Sequence, residues 1–267
     1  METLKLLFLS LALALAAASN AATAGSIPDH FHPLRPQLGT SAGRRIPGLN
    51  CLSWRLAVEA DNIQDWTVVP KECENYVGNY MLGLQYRIDS KFVTGSAYLY
   101  AKNLTLGKDG KDVWVFDIDD TSLSNLPYYA QPDTAFGAKP YNDTTFTVWE
   151  KQAKAPALPA TLWLYKRLLR LGFKIVFLTG RSETFRAVTV QNLHKVGYTK
   201  WEKLILKSAE EKAEGLHALQ YKSRERTNLV KAGYRILGNI GDQWSDVLGD
   251  NVGSRTFKLP NPMFYIA

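Results

Sequence analysis

The chain has 267 residues, of which 46% are hydrophobic and 21% charged. That balance excludes a disordered protein and suits one large α/β domain with small additions. The net charge is +7, but the densest basic runs, "YKRLLR" and "YKSRER", are short and read as solvated helix faces, which argues against a nucleic-acid-binding stripe.

At the N-terminus, Leu6–Ala18 is an apolar run of thirteen residues after Lys5, followed by small residues and the A-x-A-like "ATA" at Ala22–Ala24. This layout predicts a secretory signal peptide over residues 1–24, because the run is short for a spanning helix. No other segment is apolar enough to serve as a membrane anchor. Residues 25–50, rich in Pro, Gly, Arg and Ser, read as an irregular arm. Cys51 and Cys73 are the only cysteines, and in an oxidising compartment they are expected to pair. The sequons at Asn103 ("NLT") and Asn142 ("NDT") fit the same route as glycosylation sites. The expected location is the secretory pathway, ending outside the cell or in a vacuole.

Residues 51–108 read as a helical extension, with Val77, Met81, Leu84 and Ile88 recurring at helical spacing in one element from Glu72 to about Tyr100. From residue 109 the pattern alternates. Strands are predicted at Val113–Ile118, Phe173–Leu178, Lys203–Leu206, Arg235–Asp242 and Thr256–Pro260. Helices are predicted at Leu158–Gly172, Ser182–Val196 and Ser223–Ala232. The strands lack polar alternation, as expected when both faces are covered, so the fold class is α/β with a Rossmann-like parallel sheet between helices. Ser122–Pro159 is too long for a plain connection and is aromatic-rich, which predicts a small insertion over one end of the sheet.

Polar clusters stand at the strand ends. Asp117-Ile118-Asp119-Asp120-Thr121 follows the first core strand, Thr179-Gly180-Arg181 the second, and Gly241-Asp242-Gln243-Trp244-Ser245-Asp246 a later one; Lys222 opens a helix after a loop. Each alone is an ordinary cap, turn or surface charge. Together, on the rim where such sheets bind ligands, they place several carboxylates in one cleft. Carboxylates so crowded need a counter-charge, and Mg²⁺, a hard cation with a preference for oxygen, is the natural one. Lys222 and Arg181 would then complement a bound anion.

The set "DIDDT", "LTG", "YK" and "GDQWSD" resembles, in order, the motifs of the haloacid dehalogenase (HAD) superfamily of phosphatases. From Cys51 onward, "CLSWRLAVEADN", "VFDIDDTSLSNLPYYA" and "GYRILGNIGDQWSDVLG" look like the class B acid phosphatase group, subfamily IIIB, which includes plant vegetative storage proteins. The resemblance implies an acid phosphatase acting on small-molecule phosphate monoesters. Asp117 would be the nucleophile and Asp119 the general acid and base. Thr179, Lys222 and Arg181 would bind phosphate, and Mg²⁺ would sit on Asp117, the Asp119 main-chain carbonyl, Asp242 and Asp246. It also makes the 122–159 insertion a cap. Asp120 stands where the group usually carries Glu. The alternative is a nitrogen-storage protein with weak or no activity. A histidine acid phosphatase is excluded by the lack of an R-H-G segment, and four histidines are too few for a dinuclear metallophosphatase. A homo-oligomer is admitted but not required.

Overall fold

The computed structural model describes residues 38–41, 44–47 and 50–266. The expected signal peptide and the first part of the arm lie outside the described residues. Within the stretch read as irregular, β1 (Leu38–Ser41) pairs antiparallel with β2 (Arg44–Pro47).

The helical extension comprises α1 (Cys51–Glu59), α2 (Glu74–Leu82) and α3 (Leu84–Ala101). Asn50 caps α1, its side chain accepting the Ser53 N–H at 2.8 Å. The single helix expected from Glu72 is broken: Lys71–Cys73 forms a separate 3₁₀ turn, and Gly83 is extended between α2 and α3. The apolar period does not carry across Gly83 in the structure: Val77 and Met81 are buried, but Leu84 and Ile88 are exposed, and α3 buries Tyr86, Ser90, Thr94, Ala97 and Ala101 instead, because the extended Gly83 resets which face meets the core. The Cys51–Cys73 disulfide is present, joining the start of α1 to the 3₁₀ turn across 22 positions. Trp54 and Trp66 meet edge to face beside it, fully or almost fully buried.

The core is a five-stranded, all-parallel sheet: β3 (Asp112–Phe116), β4 (Lys174–Ser182), β5 (Lys203–Lys207), β6 (Arg235–Gly241) and β7 (Thr256–Lys258), in the order β5-β4-β3-β6-β7. The expected fold class is therefore the observed one. Every residue of the central strand β3 is buried. Its side chains alternate between two cores: Trp114 and Phe116 on one face, and Val113 and Val115 with Val176, Leu178, Tyr221 and Ile236 on the other. The large aromatic Trp114 is admitted by a register shift between β3 and β6 and by Gly238, where a Cβ would stand 2.5 Å from the indole.

The crossovers are α6 (Pro159–Leu171), α7 (Arg186–Val196) and α9 (Ala218–Lys231), with the short α8 (Ala209–Ala213) before α9. As expected, Gly172 and Gly197 end α6 and α7 in the left-handed conformation. The last of these, α9, starts earlier than expected, so Lys222 lies one turn inside a helix. The insertion carries α4 (Leu126–Tyr129) and α5 (Asp143–Lys151), and α10 (Trp244–Val247) follows β6. Strand order reverses between β3 and β6, and the chain leaves the carboxyl ends of both strands there. That is the position at which open α/β sheets form a ligand crevice.

Candidate active site

Asp117 continues the ladder past β3, its N–H donating to the Ile240 carbonyl at 3.0 Å. The side chain is buried and accepts a 2.8 Å bond from Lys222 Nζ. The same Nζ also bonds the Asp246 carboxylate. Carboxylate oxygens of Asp117, Asp242 and Asp246 all lie within 4.8 Å of one another. Asp242 is fixed by three donors: Thr121 Oγ1 at 2.9 Å, Gln243 Nε2 at 2.8 Å and Asn261 Nδ2 at 2.7 Å. Asp246 is turned inward by the Gln243 N–H, which donates to its Oδ2 at 2.9 Å.

Charge in this cluster is unbalanced. Burial, and then the Asp246 carboxylate, push Asp117 well above the usual carboxylate range, and Lys222 only partly opposes them. Asp242 is pushed up to about 6 by burial and by Asp246, against the pull of Asn261 and Gln243. Burial works against the charge on Lys222, but Asp117 and Asp246 outweigh it and hold the ammonium above its ordinary range. Raised carboxyls of this kind are short of positive charge. Three converging carboxylates with hard oxygen donors fit a divalent cation, and among the described residues no other group of acids converges so closely.

Asp119, two residues beyond Asp117, is half-buried. The Arg181 guanidinium grips it through Nε (2.9 Å to Oδ2) and a terminal nitrogen (2.6 Å to Oδ1). Burial raises the Asp119 carboxyl, but Arg181 and the Asn125 amide more than offset this and leave it below the usual range. Thr179 is fully buried and reaches Asp119 Oδ2 at 3.5 Å. Arg181 does not present an open guanidinium to an anion. It is 5% exposed, and its remaining partners are Glu150 at 3.4 Å and Thr189 at 3.4 Å. The predicted Asp117, Asp119, Thr179, Arg181, Lys222, Asp242 and Asp246 are thus brought to one crevice.

Asn125, Trp149 and Glu150, which no sequence motif marks, support these residues. Asn125 donates from Nδ2 to Asp119 Oδ1 at 2.9 Å and accepts from Trp149 Nε1 at 2.9 Å. Glu150, on α5, is pushed up to about 7 by burial and the nearby Asp119 charge. Asp120 is fully buried at φ 53°; one oxygen accepts the Asn125 N–H, and the other has no partner among the described residues. Tyr128 and Tyr129 are buried in the insertion, Tyr128 against Phe146 and Tyr129 stacked on Phe264. Asn103 and Asn142 are exposed, and Asn142 caps α5 by accepting the Thr145 N–H.

The sequence profile described as HAD superfamily, subfamily IIIB (acid phosphatase) matches residues 37–267. The chain is 48% identical to Acid phosphatase 1 of Solanum lycopersicum, over 82% of this chain and 84% of that protein. It is 43% identical to Vegetative storage protein 1 of Arabidopsis thaliana, over 98% of this chain and 99% of that one. In fold it is similar to the class C acid phosphatase of Bacillus anthracis, with a TM-score of 0.59 at 21% identity, covering 72% of this chain and 85% of that one.

Proposed function

The chain belongs to subfamily IIIB of the HAD superfamily, the acid phosphatases, and from that premise we propose that it hydrolyses small-molecule phosphate monoesters through an aspartyl-phosphate on Asp117. The observation that carries this reading is the buried Lys222, bonded to both Asp117 and Asp246 at the sheet's switch point. An ammonium there keeps the nucleophile oriented, and with two of its three N–H groups given to Asp117 and Asp246 it leaves one for an incoming phosphoryl group.

Asp117 attacks phosphorus, and the ester P–O bond breaks as Asp119 gives its proton to the leaving oxygen. A phosphoryl anion entering beside Asp119 raises that carboxyl against the hold of Arg181, which favours the protonated form at acid pH. In the second half, Asp119 takes a proton from water, the water oxygen attacks phosphorus, and the bond to Asp117 breaks. Thr179 and Lys222 bind the phosphoryl oxygens, while Arg181 acts on Asp119 rather than on phosphate. Asp117, Asp242, Asp246 and the Asp119 main-chain carbonyl would hold Mg²⁺. When bound, Mg²⁺ supplies the charge under which a carboxylate can approach an anionic phosphoryl group. The 122–159 insertion caps the cleft.

The disulfide and the two exposed sequons support passage through the secretory route, to the cell exterior or a vacuole. A second reading, storage with weak or no turnover, is favoured by the likeness to Vegetative storage protein 1 along 98% of the chain. Hydrolysis of a panel of phosphate monoesters from pH 4 to 8, with and without Mg²⁺, separates the two. The phosphatase reading expects Mg²⁺-dependent turnover that Asp117→Asn abolishes. Absence of turnover across the panel would leave storage.

A further inference from the structure

Asp119 has to exchange a proton with atoms that enter and leave, so its carboxylate must be aimed. Its two oxygens are contacted by side chains that are themselves held by adjacent residues of α5. Trp149 donates its indole N–H to Asn125 Oδ1 at 2.9 Å, and Asn125 Nδ2 donates to Asp119 Oδ1 at 2.9 Å. An indole N–H can only donate. It therefore fixes which way the Asn125 amide is turned, and leaves the amide N–H₂ facing Asp119. Were the amide reversed, two oxygens would oppose each other at Asp119. On the other side, Glu150 Oε1 lies 3.4 Å from Arg181 Nε, and Arg181 forks onto both Asp119 oxygens. All four supporting side chains are buried: Asn125 0%, Arg181 5%, Glu150 8% and Trp149 9% exposed. Buried polar groups that satisfy one another in a chain have few alternative arrangements.

We propose that α5 is the positioning element for Asp119, with Trp149 acting through Asn125 and Glu150 acting through Arg181. Neither Trp149 nor Glu150 touches the reacting atoms; they are positioning residues. The inference rests on the proposed acid role of Asp119 and extends it, since it makes part of the catalytic geometry a property of the insertion rather than of the sheet.

Leaving-group dependence tests it. A nitrophenolate departs without help from an acid, whereas an alkoxide needs the proton. The wild-type enzyme, Asp119→Asn, Trp149→Phe and Glu150→Gln are compared by kcat/KM on 4-nitrophenyl phosphate and on 2-glycerol phosphate, both with Mg²⁺ and at pH 8, above the value of about 7 to which the Glu150 carboxyl is raised, so that the Gln change removes a charged partner of Arg181. Trp149→Phe removes one N–H and keeps an aromatic ring. Glu150→Gln changes almost no volume and keeps the test available if the indole change unfolds the protein. The proposal expects Asp119→Asn to lose far more on the alkyl ester than on the aryl ester. It expects both α5 variants to follow that pattern, with about tenfold or more selective loss on the alkyl ester, in line with the cost of misplacing a reacting group. A folded α5 variant with equal losses on both esters, or with none, overturns its arm of the proposal. If Asp119→Asn itself shows no selectivity, the acid role fails first and the proposal with it.

Discussion

Glu150→Gln provides a quantitative test of the electrostatics around the cleft. Glu150 is 8% exposed, and burial together with the Asp119 charge raises its carboxyl from 4.5 to about 7 despite the ion pair with Arg181. A carboxyl raised on folding binds its proton more tightly in the native state than in the unfolded one. Its contribution to stability is therefore fully present below about pH 4.5 and is lost as pH rises through 7. The difference between 4.5 and about 7 corresponds to about 3 kcal/mol. Gln carries no proton to lose, so this loss is absent from the variant. The assay is urea unfolding of both proteins at intervals from pH 4 to 8, in the presence of a chelator so that cation binding does not mix with proton linkage. Titration of Asp117, Asp120 and Asp242 is common to both proteins and cancels in the difference. Wild-type stability should fall relative to the variant by about 3 kcal/mol between pH 4.5 and 7.5. Parallel curves, or a variant that falls more steeply than wild type, would refute the reasoning.

Three further outcomes follow from the geometry. Replacing Cys51 and Cys73 together by Ser opens a link spanning 22 positions and should lower stability by about 3 kcal/mol, read from the urea midpoint; an unchanged midpoint would remove the disulfide from the account of the extension. Asp242→Asn should weaken Mg²⁺ binding by at least ~tenfold in calorimetry, and chelation should abolish turnover; full activity after exhaustive chelation would dismiss the ligand set. Gly238→Ala puts a Cβ 2.5 Å from the Trp114 indole and should cost about 1–3 kcal/mol of stability as an overpacked core, whereas a neutral result would mean that Trp114 shifts freely.

The sheet and the first layer of the cleft were legible in the sequence for a shared reason. A parallel strand buried on both faces is an unbroken apolar run, and a run such as Val113–Phe116 that ends abruptly in Asp117 and Asp119 marks its own carboxyl end. Asp242 announces itself in the same way after β6, and Thr179 where the apolar run Ile175–Leu178 stops, although β4 itself continues through Thr179 to Ser182. The second layer was not legible. Asn125, Trp149 and Glu150 lie in an insertion with no strand pattern to index them, and Glu150 joins an Arg181–Asp119 pair whose two members are themselves 62 positions apart along the chain. Such contacts depend on where α5 comes to rest, which no local period encodes. Arg181 illustrates the limit. Its placement beside the cleft follows from the strand end, but its commitment to Asp119 depends on side-chain geometry. Gly83 is a further case, since apolar residues at helical spacing in the sequence run across it and conceal the break between α2 and α3.

The central claim is that Asp117 is the nucleophile, and covalent trapping tests it most directly. Enzyme turning over a phosphate monoester with Mg²⁺ is quenched rapidly in acid, reduced with borohydride and digested, and the peptide containing residue 117 is weighed. An aspartyl phosphate is reduced to homoserine, so the account predicts that mass at position 117 in wild type, and neither adduct nor turnover in Asp117→Asn. Turnover by wild type with an unmodified Asp117, accompanied by wild-type activity in Asp117→Asn, would contradict it.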